Sequence, residues 1–404
     1  MTKLLRVKPV VIVMIFSLCY IGNMQRILNI RGLDKAPHNN SNQLFSDRVI
    51  YYGRPYASDY NAMHTLDLNQ NTSISTPPRV EFSARQNVPS FPNSKTFGSK
   101  GLHLDHTSDS VLISDRLCAN VPFVAGRVGM AEVFTVQDFL SGKIIHGGRG
   151  DPKTASGIYP VTTEGLKAFA SVYVESLKSL EGPDLLATFP NILSAEMSVF
   201  PKTVSDTVRI VHHRSLEPYY IPDKPWSRCL LGKTVLIIHP FRDSIECQLR
   251  RASDLFPGTT ILPNFSTKFV KMFQCLGGSK CPHRNWQETL RATMELIDGV
   301  GHFDVAIIGA GSYSLPLAVY CKQKKGAAAI VMGGSSQLLF GLKGRRWDTH
   351  PILRNLYNGA WIYPLGVDTP SDAGTIEHGG PYWGSGAQVN VTCPVTGVTQ
   401  RGTL

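Results

Sequence analysis

Two runs in the last third of this chain constrain its fold more than anything else in it. Phe303–Ile308 (FDVAII) and Ala328–Met332 (AAIVM) read as strands without the polar alternation of a half-exposed sheet. Continuously apolar strands belong to a parallel sheet covered on both faces. Lys233–His239 (KTVLIIH), Leu185–Phe189 (LLATF), Thr207–His213 (TVRIVHH) and Val121–Val128 (VPFVAGRV) are further strand-like runs. Helical patterns separate them. From Glu164 to Leu180 one stripe holds Leu166, Phe169, Ala170, Tyr173, Val174 and Leu177. Asn285 with Glu288 three residues on is a capping-box signature for a helix reaching about Asp298. Gly326 after Lys324-Lys325 fits a helix C-cap. The alternation predicts an α/β domain with a doubly wound, mostly parallel Rossmann-like sheet over residues 113–387.

With 404 residues, 42% of them hydrophobic, the chain can hold such a domain plus appendages. Residues 29–112 are rich in Asn, Ser and Pro and lack apolar periodicity, the signature of a disordered stem. Residues 388–404 read as a flexible tail. At the N-terminus, Lys3, Arg6 and Lys8 precede the apolar run Pro9–Gly22. The run is short of the ~20 residues that span a bilayer comfortably, but flanking residues to Leu28 extend it. No small-residue cleavage site follows, so residues 1–28 are expected to form a cytoplasmic tail and uncleaved signal anchor. That predicts a single-pass type II membrane protein with its domain in the Golgi or ER lumen, where the sequons at Asn39, Asn71, Asn264 and Asn390 are usable. Eight Cys, with Cys19 in the apolar run, leave seven beyond it and therefore at least one free thiol. Cys275 and Cys281 are the best local pair for a disulfide. The net charge of +11 is spread: 12 basic against 7 acidic residues up to position 110, then 29 against 23. No basic run or face marks a nucleic-acid partner.

Open parallel sheets bind ligands beyond the carboxyl ends of their strands, so the residues after each strand are the candidates. After the first come Arg127, Gly129 and Glu132: a guanidinium fork for phosphate, an open backbone position, and a carboxylate for a metal or a sugar hydroxyl. A turn glycine and a helix-dipole glutamate are the plainer alternative. His239 ends the next candidate strand, before Pro240-Phe241, and could equally be a hydrogen-bonded structural residue. Gly309, Gly311 and Tyr313 follow FDVAII as a phosphate cradle. The third glycine and the ribose-binding acid of a dinucleotide site are missing, which weighs against NAD(P) or S-adenosylmethionine. After AAIVM come Gly333, Gly334 and Gln337, then the cations Lys343, Arg345 and Arg346 with Trp347 as a stacking surface. Later, Glu377 stands near Tyr382 and Trp383, a carboxylate and two rings suited to sugars.

Together these stretches resemble the GT-D fold of glycosyltransferases. The match runs through Arg127, Gly129, Glu132; His239, Pro240, Phe241; Gly309, Gly311, Tyr313; Gly333, Gly334, Gln337, Phe340, Gly341, Gly344, Arg346, Trp347; and Glu377, Tyr382, Trp383. The resemblance covers about residues 118–385 and implies transfer of a sugar from a nucleotide-sugar donor to a glycan or glycoprotein acceptor. Glu132 and Glu377 would be catalytic, Glu377 as general base. One departure stands out: Met130 occupies the first position of the family's Asp-x-Glu motif. A thioether is a poor ligand for Mg²⁺ or Mn²⁺, so a divalent cation at Glu132 is left open and the basic residues are alternative carriers of the leaving-group charge. Met130 also motivates a rival expectation, a non-catalytic lumenal carbohydrate-binding protein.

Overall fold

The structure, a computed structural model, describes residues 104–144, 146–277, 281–385 and 393. The expected anchor, most of the expected stem, the sequons at Asn39, Asn71 and Asn390, and most of the C-terminal tail lie outside these residues. Among the described residues no helix is long and apolar enough to cross a membrane.

Seven strands form one all-parallel sheet: β1 (Val124–Arg127), β2 (Leu185–Thr188), β3 (Arg209–His212), β4 (Thr234–His239), β5 (Ser266–Lys271), β6 (Val305–Ile308) and β7 (Ala328–Val331). Their order is β3-β2-β1-β7-β6-β4-β5. Thus β7, late in the chain, is inserted between the early strands and the rest. It pairs with β1 through Val124↔Ala329 and Ala125↔Ile330, and with β6 through Val305↔Ala328 to Ile308↔Val331.

Side chains alternate across the sheet. One set (Ala125, Leu185, Ala187, Val211, Val235, Ile237, Val305, Ile307, Ala328, Ile330) packs in a single core with Ile113 and Leu117 of helix α1 (His106–Cys118), Trp226 and Phe241. The other set is buried as well; β2, β6 and β7 have no exposed residue at all. Helices α2 (Met130–Leu140), α4 (Thr163–Lys178), α5 (Leu193–Thr203), α8 (Trp286–Gly299) and α9 (Ser314–Lys325) pack on one another in a chain of contacts. A short α3 (Pro152–Ser156) links α2 to α4, and α6 (Arg242–Leu249), α7 (Ala252–Leu255) and α10 (Ser336–Leu339) complete the set.

The expected helix signals operate as physical caps. Thr162 accepts from Gly165 N–H and opens α4, whose buried face is the Leu166–Leu177 stripe. Asn285 accepts from Glu288 N–H at 2.9 Å to open α8. Gly326, with φ +64°, ends α9. Two features differ from the sequence reading. Helix α1 begins at His106, so the expected stem boundary at 112 falls inside it. Asp105 caps that helix, accepting from the N–H groups of Thr107 and Ser108, and its one apolar face is hidden in a polar sequence. Strand β5 (STKFVK) was not anticipated, because at the sheet edge only Val270 is fully buried.

Three disulfides are present: Cys118–Cys229, Cys247–Cys393 and the expected Cys275–Cys281. Among the described residues Cys321 is the free cysteine, and burial pushes its thiol up to about 12.

Candidate functional site

The loops after β1, β4, β6 and β7 meet at one edge of the sheet, and glycines set how closely. Gly333 (φ +63°) lies so near Arg127 that a methyl there would stand 2.4 Å from the Arg127 Nη2. At Gly334 a methyl would stand 2.3 Å from the Tyr382 ring, and at Gly309 it would meet Ser336 Oγ and the His239 ring. Gly311 (φ +55°) packs against the Ser156 carbonyl. Only glycine allows four loops to approach on these terms without displacing a neighbour.

A crevice open to solvent lies here, with about 610 Å³ of empty space when the solvent at its mouth is counted. Its wall includes His239, Gly309, Gly311, Tyr313, Gly334, Gln337, Tyr382 and Trp383, together with Met272, Phe273, Gln274 and Cys275 after β5. His239 is buried, its Nδ1 accepts from Phe241 N–H at 2.9 Å, and its Nε2 lies 3.1 Å from Ser336 Oγ. With Nδ1 an acceptor, Nε2 carries the proton. Burial lowers the imidazolium pKa to about 3. His239 is therefore a neutral strand-end brace whose nitrogens are both engaged, and it offers a ligand only its ring edge. Tyr313 stacks on Trp286 at 5.0 Å and donates to the Gly157 carbonyl, which ties α3 to the loop after β6. Trp383 is buried and donates to the Asp368 carbonyl at 3.1 Å.

Beside the crevice stands a charged cluster. Arg127 lies over the Phe189 ring, 5.1 Å from its centroid, and makes no hydrogen bond among the described residues. Glu132 folds back over the start of α2 against Gly129 and accepts from Ser156 Oγ at 2.9 Å. Burial raises its pKa, against the opposing pull of these bonds and of Arg127. Glu196, in α5, accepts from Phe189 N–H with both oxygens, and burial lifts it to about 8. Glu377 sits in a left-handed backbone (φ +45°), followed by His378, Gly379 and Gly380, all at positive φ. Its carboxylate pairs with Arg346 and accepts from the Tyr382 hydroxyl, and Arg346 also lies 4.2 Å from the Tyr382 ring centroid. Backbone strain of this kind persists only where the surroundings enforce it.

Two expectations need correcting. Trp347 is not an open stacking surface: it is 1% exposed, packed under Gly344 in the core. The three cations do not converge. Lys343 lies over the Tyr357 and Tyr363 rings, Arg345 is exposed, and only Arg346 faces Glu377. A stretch of irregular turns splays neighbouring side chains apart, whereas spacing along a chain counts them as a cluster. Among the described residues no group of three His, Cys, Asp or Glu could hold a metal ion.

Sequence reasoning missed Ser156, Phe189, Glu196 and Gln274. Glu196 could have been found: it lies on the buried stripe Ala195, Val199, Phe200 of α5, where a carboxylate is out of place. Gln274 follows the unanticipated β5 and carried no signal. No family model, curated protein or solved structure matches the chain, and its site has to be read from its own geometry.

Proposed function

We propose that this chain is a GT-D-like glycosyltransferase, moving a sugar from a nucleotide diphosphate donor to a hydroxyl of a glycan or glycoprotein acceptor. The observation that carries this reading is the meeting of Arg127, Gly333, Gly334, Tyr382 and the Arg346–Glu377 pair at the carboxyl ends of β1 and β7, beside the crevice that Gly334 and Tyr382 line. Exposed backbone at glycines beside two guanidinium groups suits a diphosphate. In the reaction, the acceptor hydroxyl gives its proton to Glu377 and its oxygen bonds to the anomeric carbon. The bond from that carbon to the diphosphate breaks, and the charge left on the nucleoside diphosphate is neutralised by Arg127 and Arg346. Arrival of the diphosphate competes with Glu377 for Arg346, so donor binding frees the base. Glu132, buried and bonded to Ser156, acts through its charge interaction with Arg127. No step is routed through a divalent cation.

Three disulfides and an exposed sequon at Asn264 support an oxidising, lumenal address reached through the N-terminal anchor. A second reading, a non-catalytic binding protein, is favoured by the engagement of both Glu377 oxygens. Incubation with UDP-, GDP- and CMP-sugars decides between them. Donor hydrolysis that collapses in Glu377→Gln supports transfer. Donor binding without turnover supports the second reading, and no binding of any donor sinks both.

A further inference from the structure

The end of the sheet opposite the crevice carries a second feature. Strand β5 closes the sheet beyond β4, and among the described residues no strand pairs with its far side. The N–H groups of Ser266 and Met272 donate to the carbonyls of Lys233 and His239 on the β4 side. N–H direction alternates along a strand, so Thr267, Phe269 and Lys271 point theirs outward. An open edge of this kind is a template for a strand of another chain. Charged side chains commonly keep such edges apart, but here both lysines of the strand are engaged. Lys268 donates to the Val300 carbonyl at 2.8 Å, and Lys271 is held between Asp243 and Asp368.

Asn264 stands two residues before the strand, in the sequon Asn264-Phe265-Ser266. Of the four sequons it is the one within the described residues. Its backbone is fixed from both sides. Ile261 and Leu262 before it are buried, Phe265 after it packs against the core, and its carbonyl accepts from Gly232 N–H at 3.0 Å. Its side chain is exposed, and the amide makes no hydrogen bond among the described residues. The space beside it is open. A methyl on Gly232 would meet nothing within 4 Å, and Leu231, the residue before that glycine, is 67% exposed. A fixed backbone, a free amide and room around it suit the attachment of a bulky glycan.

Resting on the lumenal address and not on the transferase chemistry, we infer that Asn264 is glycosylated and that its glycan shields the open edge of β5 from pairing with a second copy of the chain. The Asn264 amide nitrogen bonds to the anomeric carbon of an oligosaccharide carried on a lipid diphosphate. The bond from that carbon to the diphosphate breaks, the lipid diphosphate leaves with the electron pair, and one amide proton passes to solvent. The glycan then stands at the amino end of β5, roughly 17 Å along the strand from its crevice end, and leaves the crevice clear. Without it, a two-fold axis beside the strand can bring two identical edges together.

The full chain, made in a eukaryotic secretory host, tests this by peptide mass spectrometry and by light scattering in detergent. The peptide carrying Asn264 is expected to bear a glycan that an amide-cleaving glycosidase removes, and Asn264→Gln or Ser266→Ala to abolish it. The glycosylated chain is expected to be monomeric and both variants to dimerise. Thr267→Pro removes one outward N–H without touching the ladder to β4, and is expected to return Asn264→Gln to the monomer. A bare Asn264 in a chain that sealed vesicles protect from protease overturns the inference alone. A bare Asn264 in a chain open to that protease overturns the lumenal address and the inference with it. Variants that stay monomeric, or a dimer that Thr267→Pro does not dissolve, overturn the shielding role.

Discussion

At the scale of single residues, the site is governed by carboxyl groups that burial treats differently. Glu196 has an ordinary value of 4.5 and about 8 in the fold. The folded chain therefore holds more protons than the unfolded one between these values, and stability falls as pH rises through that window. Its contribution is full below about 4.5 and is lost as pH climbs through 8. Glu196→Gln keeps the shape and removes the titration. Melting temperatures from pH 5 to 9 are expected to decline less in the variant than in the parent; parallel curves would refute the assignment. The proposed reaction puts a different demand on Glu377. Glu377→Gln is expected to lower turnover roughly 10²–10⁴-fold with donor affinity changed little, read as kcat against Kd for the donor. Most of the residues named from the sequence do gather at one edge. Trp347 and Lys343 do not, because spacing along a chain says nothing about which way a turn throws its side chains.

At the scale of elements, glycines act as spacers between loops. Gly334→Ala would place a methyl 2.3 Å from the Tyr382 ring and push that ring off Glu377. The expected outcome is a folded protein with a nearly unchanged melting temperature and turnover at least about tenfold lower. Unchanged turnover would mean that Tyr382 has no part in holding Glu377. The elements themselves were legible wherever burial was one-sided or complete. The α4 stripe, the Asn285 cap and the apolar runs of β4, β6 and β7 declared themselves. Helix α1 and strand β5 did not, because a helix with one narrow apolar face and an edge strand with a single buried valine have little period to read.

At the scale of the whole molecule, Cys118–Cys229 joins the end of α1 to the turn before β4 across 111 residues. Loop closure of that length constrains the unfolded chain by about 4–5 kcal/mol. Cys118→Ser with Cys229→Ser is expected to lower the melting temperature by on the order of 10 °C; a shift under about 2 °C would show that the link adds nothing. Chelation is a second global test. With the leaving group balanced by guanidinium groups, donor binding measured by calorimetry is expected to survive EDTA, and abolition would return a cation to the mechanism. The sheet class was readable from the unbroken strands, but strand order was not, since apolar runs carry no record of their neighbours. That order has a consequence for synthesis. Because β7 stands between the first three strands and the other three in the sheet, a nascent chain halted before Ala328 lacks the strand that pairs the two sets. Arg127 then has no Gly333 to face, and the crevice edge is complete only when nearly all of the chain has left the ribosome.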